Sequence, residues 1–447
     1  MKDSDGLFFW IIFVIYQTNV VNNALRLKIN VDIMERREIM LKKIKKMLVP
    51  VISSFVFLGI ISQSGSASAA TNSNTYAVPL HDNVAVYDNS TGQSNEVATI
   101  KANQPVVITR DFDANLWEVK IGNGYGYINK SDVSLSTTLK TNNLNQGKAN
   151  KNSTVLIHSD APVYDNTSGK LVPMATIKEG IRYPIVADYG KNWWLVDIGG
   201  RLGYLPKFKT TIDHGIPILM YHHILKPEEK RNSEFANAST TVTTVEFEEQ
   251  MKWLYENGYK TISMEDLERY LNRGGNVPSK SVVITFDDGI VSTREYAYPV
   301  LKQYGFIAEQ FIITSRTQAT PVEFNWKGLQ FLSTIDMENL KDVFRYGSHT
   351  NALHNIVNGV SLVVSEPEHV VYSDLKLSKE ALNTNYFAYP FGQYNNQTIK
   401  IVKSLGFTMA VTTKNGKVHL GDDKLQLKRM GIEPGMNINQ FANEVSN

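Results

Sequence analysis

The chain reads as a multidomain protein: two small all-β barrels followed by a larger α/β domain built on a parallel sheet. Three observations predict this. Residues 76–135 repeat as residues 153–212 at a constant offset of 77, and both copies consist of short alternating strands between Asn/Asp/Gly turns. From Ile216 onward the pattern changes to apolar strand runs alternating with helical periodicity. At 447 residues the chain is long enough for about three domains.

The first 70 residues carry addressing rather than fold. Lys42, Lys43, Lys45 and Lys46 precede an apolar run from Met47 to Ile61, and Ser66-Ala67-Ser68-Ala69-Ala70 follows. A basic start, an apolar middle and an A-x-A-like end make a secretory signal over 40–69, cleaved before Ala70. An uncleaved anchor is the alternative, although the run is short for a bilayer. Residues 1–39 read as an over-extended start, with Met40 as initiator. A secreted, wall-associated protein without a stable membrane span in its mature form is expected.

Composition narrows the classes. Hydrophobic residues are 42 % and charged residues 20 %, an ordinary globular balance that excludes collagen, a disordered tail and a multi-span membrane protein. Residues 71–447 hold 37 Lys/Arg against 39 Asp/Glu, so the folded part is no nucleic-acid binder by composition. There are no cysteines, which removes disulfides, thiolate metal sites and Cys nucleophiles. A metal site must use His, Asp and Glu.

The repeats align without gaps. Val86-Tyr87-Asp88-Asn89 recurs as Val163-Tyr164-Asp165-Asn166, and Ala98-Thr99-Ile100-Lys101 as Ala175-Thr176-Ile177-Lys178. Trp117 matches Trp194, and Gly126-Tyr127 matches Gly203-Tyr204. Trp194–Ile198, followed by Gly199-Gly200 and Gly203-Tyr204, predicts a glycine-turned hairpin. This shared run of Trp, Val, Gly and Gly-Tyr resembles bacterial SH3-like domains, which hold secreted hydrolases on cell-wall glycan or peptide. A spacer with core aromatics and no ligand is the other reading. Residues 136–152, rich in Thr, Asn, Lys and Gly, are expected to form a flexible linker.

In the C-terminal region Ile216–Tyr221, Ser281–Phe286, Phe311–Thr314 and Met409–Thr412 are predicted strands. Thr243 and Glu246 form a capping box ahead of Phe247, Met251 and Leu254 at helical spacing. Tyr298–Tyr304 and Ile399–Leu405 are predicted helices, stopped by Gly305 and Gly406. Such β-then-α units predict a parallel sheet with helices outside, open or closed into a barrel, whose chemistry collects at the C-terminal strand ends. Polar clusters stand there at 222–223, 287–288 and 349–354.

Thr285-Phe286-Asp287-Asp288-Gly289 sets two carboxylates at a strand end, where they repel unless a cation or a proton separates their roles. Gly347-Ser348-His349-Thr350-Asn351-Ala352-Leu353-His354 supplies two imidazoles on a glycine-led loop. One Asp and two His suit a borderline divalent cation with positions left open.

T-F-D-D-G, the His pair and Ala388-Tyr389-Pro390-Phe391-Gly392 together resemble the polysaccharide deacetylases of carbohydrate esterase family four, the NodB homology domain. The resemblance covers about Ile216 to Phe441. It implies a distorted (β/α) barrel that uses a divalent metal, zinc, to remove acetyl groups from N-acetylated glycans. By position, Asp287 is implied as general base, and Asp288, His349 and His354 as metal ligands. Phe391, with Tyr389 in the same motif, is implied at the substrate and oxyanion. Three departures stand out. The His spacing is five rather than four, Ala388 replaces the usual base-orienting Arg, and His419 lies in a turn unlike a catalytic His motif. These changes resemble the permuted poly-N-acetylglucosamine deacetylase branch, where a Tyr-His motif on the first strand supplies the acid. Here that is Tyr221-His222-His223, making His222 the implied acid, and Arg429 is the candidate orienting residue.

The resemblance implies a single-step hydrolysis in which Asp287 takes a proton from water and His222 protonates the leaving nitrogen. Cell-wall peptidoglycan is the expected substrate because of the SH3-like repeats. Poly-β-1,6-N-acetylglucosamine, a biofilm exopolysaccharide, is the alternative because of the permuted motifs. A catalytically inactive wall-binding protein is the alternative of another class.

Overall fold

The computed structural model describes residues 75–88, 95–122, 124–137, 153–273 and 275–446. The expected over-extended start, the signal over 40–69 and residues 138–152 of the linker lie outside the described residues.

The N-terminal region is entirely antiparallel, as the alternating patterns predict. Strands run from Tyr76–Pro79 to Val133–Ser136 in the first repeat and from Thr154–Ile157 to Thr210–Ile212 in the second. Val86, Val119 and Ile128 of one copy and Val163, Val196 and Leu205 of the other fill the interior. The repeated Gly-Tyr has a packing reason. A Cβ on Gly126 would fall 2.5 Å from Val86, and one on Gly203 would fall 2.4 Å from Val163.

The copies are not separate beads. Thr99 pairs with Thr176, and Ala98 and Ile100 pair crosswise with Ile177 and Ala175. Ile121 pairs with its own counterpart Ile198, and Lys120 Nζ bonds its counterpart Asp197 at 2.5 Å. Each copy offers the other the same surface, the self-complementary contact of a two-fold dimer. One 12-stranded sheet therefore runs through both.

The second repeat is also built onto the C-terminal region. Arg182 pairs with Asp213 and donates to the carbonyls of Ser279 at 2.7 Å and Pro278 at 3.3 Å. Ser279 N–H returns a bond to Gly180 at 2.7 Å. A guanidinium so fully hydrogen-bonded tolerates burial.

The C-terminal region is a curled parallel half-barrel. Its main strands are β1 (Ile218–Tyr221), β2 (Ser281–Phe286), β3 (Ala308–Ile312), β4 (Phe344–Ser348), β5 (Tyr386–Ala388), β6 (Met409–Val411) and β7 (Met430–Gly431). They lie in the order β6-β5-β4-β3-β2-β1-β7. The predicted capping box forms: Thr243 Oγ1 accepts from Glu246 N–H at 3.2 Å, and Glu246 accepts from Thr243 N–H at 2.7 Å. The helix Thr244–Glu256 then buries Phe247, Met251 and Leu254 against β1 and β2. Each such side chain stabilises the fold by about 1.5–3 kcal/mol.

β3 departs from expectation. It begins at Ala308, three residues before the apolar run, because Glu309 and Gln310 are buried strand residues. The segment after β6 closes the sheet. Leu427 bridges to Val411 of β6, and Met430 pairs with Leu219 of β1. The stretch between, carrying Arg429, therefore lies at the seam where the curled sheet returns towards its start.

Candidate active site

Polar side chains from several strands converge at the C-terminal ends of the sheet. β2 ends at Phe286, and Asp287 follows with its N–H bonded to the Tyr221 carbonyl at 3.0 Å. The Asp287 carboxylate is buried and gripped by Arg429 through two 2.7 Å bonds, Nη1 to Oδ1 and Nη2 to Oδ2. Arg429 is itself wholly buried, and it donates Nε–H to the Thr412 carbonyl at 2.9 Å and Nη1 to Thr285 Oγ1 at 3.2 Å. Burial alone would raise the Asp287 pKa. The guanidinium, with further help from the nearby imidazoles, overrides burial and holds it well below the usual carboxylate range. Asp287 is therefore an anion fixed in one orientation.

Asp288 turns the other way. Its backbone is left-handed, φ 74°, so the two neighbouring carboxylates face different partners. Asp288 Oδ1 lies 3.2 Å from His354 Nε2 and 3.6 Å from His349 Nε2, and the two imidazole nitrogens are 3.1 Å apart. Among the described residues this is the one His/carboxylate group whose ligand atoms all lie within 4.8 Å of one another. The donor chemistry fits a divalent cation. His349 Nδ1–H donates to the Ala388 carbonyl at 2.8 Å, leaving the Nε2 lone pair facing the cluster. Burial and the neighbouring His349 push His354 down to about 3, so its ring is neutral. Asp288 Oδ1 is buried without a hydrogen-bond partner. Two lone pairs and an orphaned carboxylate oxygen aimed at one point repel each other unless a cation lies among them.

The five-residue His spacing has a structural cause that motif reading missed. Asp374, on the helix Glu368–Leu382, accepts the N–H groups of Asn351 at 2.9 Å and Ala352 at 2.7 Å. This clamp, with Thr350 at φ 76°, folds the loop so that both rings return to one point. A signal was present: Val371, Asp374, Leu375 and Ser378 form the buried face of that helix, and an acid on such a face needs partners. Arg316, also missed, donates to the His354 carbonyl at 3.1 Å and packs 5.2 Å from the Phe331 ring centroid.

His222 and His223 separate cleanly. His222 Nε2 stands 3.9 Å from Asp287 Oδ2 and stays partly open to solvent. His223 is buried, bonds Ser292 Oγ through Nδ1 at 2.8 Å and packs against Phe235. Burial holds it down at about 4, neutral and structural.

Phe391 sits on the turn after β5 with φ 57°, and its ring lies 4.4 Å from that of His354. The next residue must be glycine, since a Cβ at Gly392 would fall 1.9 Å from Thr413 Oγ1. Asp288, Thr350 and Phe391 are thus three non-glycine left-handed residues at one site, each costing about 1–3 kcal/mol of strain. Tyr389 differs from expectation. Its ring is fully buried among Phe387 and Tyr394, and its hydroxyl donates to the Leu425 carbonyl at 3.0 Å. Its backbone is committed as well, the N–H donating to the Val411 carbonyl at 3.2 Å and the carbonyl accepting from Gly392 N–H at 2.9 Å, so Tyr389 supports the turn that presents Phe391. His419 lies beside Asp422 in an exposed turn and takes no part.

Similarity to known proteins agrees with this geometry. A polysaccharide deacetylase family model matches residues 274–410. A Bacillus subtilis protein named for that family, YxkH, is 31 % identical over 238 residues, covering 52 % of this chain and 77 % of the relative. The chain belongs to the polysaccharide deacetylase family. It is accordingly a hydrolase of N-acetyl amide bonds. A poly-β-1,6-N-acetyl-D-glucosamine N-deacetylase of Staphylococcus epidermidis is 29 % identical, covering 47 % of this deacetylase and 77 % of the relative. A solved Streptococcus pyogenes deacetylase, PplD, in complex with acetate, is 29 % identical, covering 52 % of this chain and 99 % of that one at a TM-score of 0.45.

Proposed function

We propose that this deacetylase is a secreted, zinc-dependent enzyme that removes acetyl groups from N-acetylglucosamine residues of cell-wall peptidoglycan. The observation that carries the catalytic part is the split of neighbouring carboxylates: Asp287 locked to Arg429, Asp288 turned to His349 and His354. A divalent ion held by Asp288, His349 and His354 would polarise the acetyl carbonyl and make water more acidic. Asp287, ionised and held in place by Arg429, accepts the water's proton. His222, 3.9 Å from Asp287, delivers a proton to the glucosamine nitrogen as acetate leaves. The Phe391 N–H serves the oxyanion.

The wall assignment rests on the repeats, read as SH3-like modules over 76–135 and 153–212. Each carries an aromatic pair on corresponding residues: Phe112 with Tyr127 at 4.5 Å, and Tyr189 with Tyr204 at 5.0 Å. Phe112 and Tyr189 are exposed, as aromatics that receive a sugar or peptide would be. The signal read over 40–69 accounts for secretion. Among the described residues no helix is long and apolar enough to cross a membrane.

Poly-β-1,6-N-acetylglucosamine is a second reading, favoured by the name of the staphylococcal relative. Acetate release by purified protein from both polymers tests the two together. Faster release from peptidoglycan supports the first reading, and release from the exopolysaccharide alone replaces it with the second.

A further inference from the structure

The half-barrel has another end, away from the metal-ligand cluster. A cavity of about 890 Å³ opens at the N-terminal ends of β3, β4 and β5, lined among others by Glu265, Glu268, Glu309, Tyr386 and Asn385. Glu309 is the unusual member. On β3 its neighbour Gln310 points out to Thr293, with Nε2 3.0 Å from Thr293 Oγ1. Phe311 points into the barrel, its ring 5.8 Å from the Arg429 guanidinium carbon. Strand alternation puts Glu309 on the interior side with Phe311, one layer nearer the N-terminal mouth.

There Glu309 is 3 % exposed, and its Oε2 has no hydrogen-bond partner. The cation in register on the adjacent strand, Arg345, donates instead to the carbonyls of Lys341 and Phe344. Burial pushes the Glu309 carboxyl up to about 8. A buried carboxyl without a hydrogen-bond partner is costly to keep, and the cavity it faces carries four acids, Glu265, Asp266, Glu268 and Glu309, against two cations, Lys341 and Arg345, an excess of negative charge that points to a cation as its missing partner.

The size of that cation follows from the walls. Among the described residues, three or more His or carboxylate ligand atoms within 4.8 Å of one another occur only at Asp288, His349 and His354. The carboxylates here are too dispersed for a bare ion. A cation with a body fits: Glu309 for the charge, Glu268 and the Tyr386 hydroxyl that donates to it at 3.2 Å for hydroxyl groups, and the half-buried Tyr386 ring for an apolar face. We propose that this cavity binds a glucosamine unit of an already de-N-acetylated glycan, its primary ammonium paired with Glu309. The assignment rests on the deacetylase reading above, since hydrolysis of the amide creates that ammonium. The acetylated unit is uncharged at the same nitrogen and leaves Glu309 unpaired. A product stretch held at this mouth would keep the polymer on the enzyme.

The test is calorimetric titration of the whole protein with a β-linked glucosamine tetramer, its N-acetylated counterpart and spermidine. The glucosamine tetramer should bind, and Glu309→Gln should weaken it by about tenfold or more, the loss of one charge-assisted contact. Acetate release from a soluble N-acetylated oligomer should stay within about twofold in that variant, because this mouth is not the catalytic one. If Glu309→Gln fails to give a cooperative melt, Glu268→Gln, at the cavity rim, should show the same weakening. Equal binding of the acetylated tetramer, unchanged binding in the folded variants, or binding of spermidine alone would each overturn the amino-sugar site. Absence of acetate release from every acetylated polymer by the wild-type protein would overturn the deacetylase reading instead, whatever the tetramer does.

Discussion

Replacing Asp287 by Asn separates base from ligand, and the structure sets the size of two effects. The first is catalytic. Asn keeps the shape and one acceptor oxygen for Arg429 but cannot take a proton, so acetate release should fall by about 10²–10⁴-fold. The second is structural. Arg429 is wholly buried and its two terminal nitrogens are committed to Asp287, so neutralising the acid leaves a buried cation half compensated. Breaking such pairs costs about 3–5 kcal/mol, and the retained Asn acceptor argues for the lower end. At about 2–4 °C per kcal/mol for a domain this large, the melting temperature should drop by roughly 6–12 °C. The sign of the pH dependence follows from the depressed Asp287 pKa. Its contribution is complete above the unfolded carboxyl value of about 3.9 and is lost as pH falls through the lower folded value. The stability gap between wild type and variant should therefore be full at pH 7 and close only in acid. Arg429→Met alone should also destabilise, while the double variant should lose less than the two single losses combined, because no unpaired charge remains. Zinc content should be unchanged in Asp287→Asn and reduced in Asp288→Asn. A rate within tenfold of wild type, or metal lost from the first variant and kept in the second, refutes the assignment.

Dialysis against a chelator should abolish acetate release, and added zinc should restore it in the wild-type protein but not in His349→Ala, which lacks one of three converging ligands. Asp374→Asn should weaken zinc affinity by about 10–100-fold, measured by competition with a chromophoric chelator, with much of the rate recovered at saturating zinc. Tyr189→Ala and Phe112→Ala together should abolish co-sedimentation with purified cell walls while leaving release from soluble oligomers intact. Unchanged sedimentation would remove the basis for the peptidoglycan reading.

Much of this site was legible because its chemistry is carried by contiguous residues at strand ends. Asp287 and Asp288 follow an apolar strand, and His349 follows another, so the parallel-sheet prediction alone brings them to one rim. Arg429 was reachable only as a substitute for the Arg missing at Ala388. Nothing in its own neighbourhood marks it, since its role depends on a seam formed by Leu427 and Met430 pairing with different strands. Asp374 shows in the sequence only as an acid on the apolar face of its helix, because its partners, backbone N–H groups, carry no residue signature. The fusion of the two repeats was equally hidden. Ala98-Thr99-Ile100 and Ala175-Thr176-Ile177 were visible as copies, but that copies pair with each other is a property of the folded edges.

That fusion bears on how the repeats could serve the enzyme. If they were loosely strung, an aromatic pair on each would act as an independent tether, and affinity would depend on linker reach. Here the copies share a sheet about a pseudo-two-fold contact. Arg182 ties the second copy to Pro278 and Ser279, just before β2, the strand that leads into Asp287. The Tyr189–Tyr204 and Phe112–Tyr127 pairs are thus joined through these contacts to the region that carries Asp287. Binding at them would fix which part of a glycan the active site can reach, rather than merely raise its local concentration. Arg182→Ala distinguishes the two roles. It should leave wall sedimentation intact, since the aromatic pairs are untouched, yet lower acetate release from intact walls more than from soluble oligomers. An equal effect on both substrates would mean that the joint contributes only to stability.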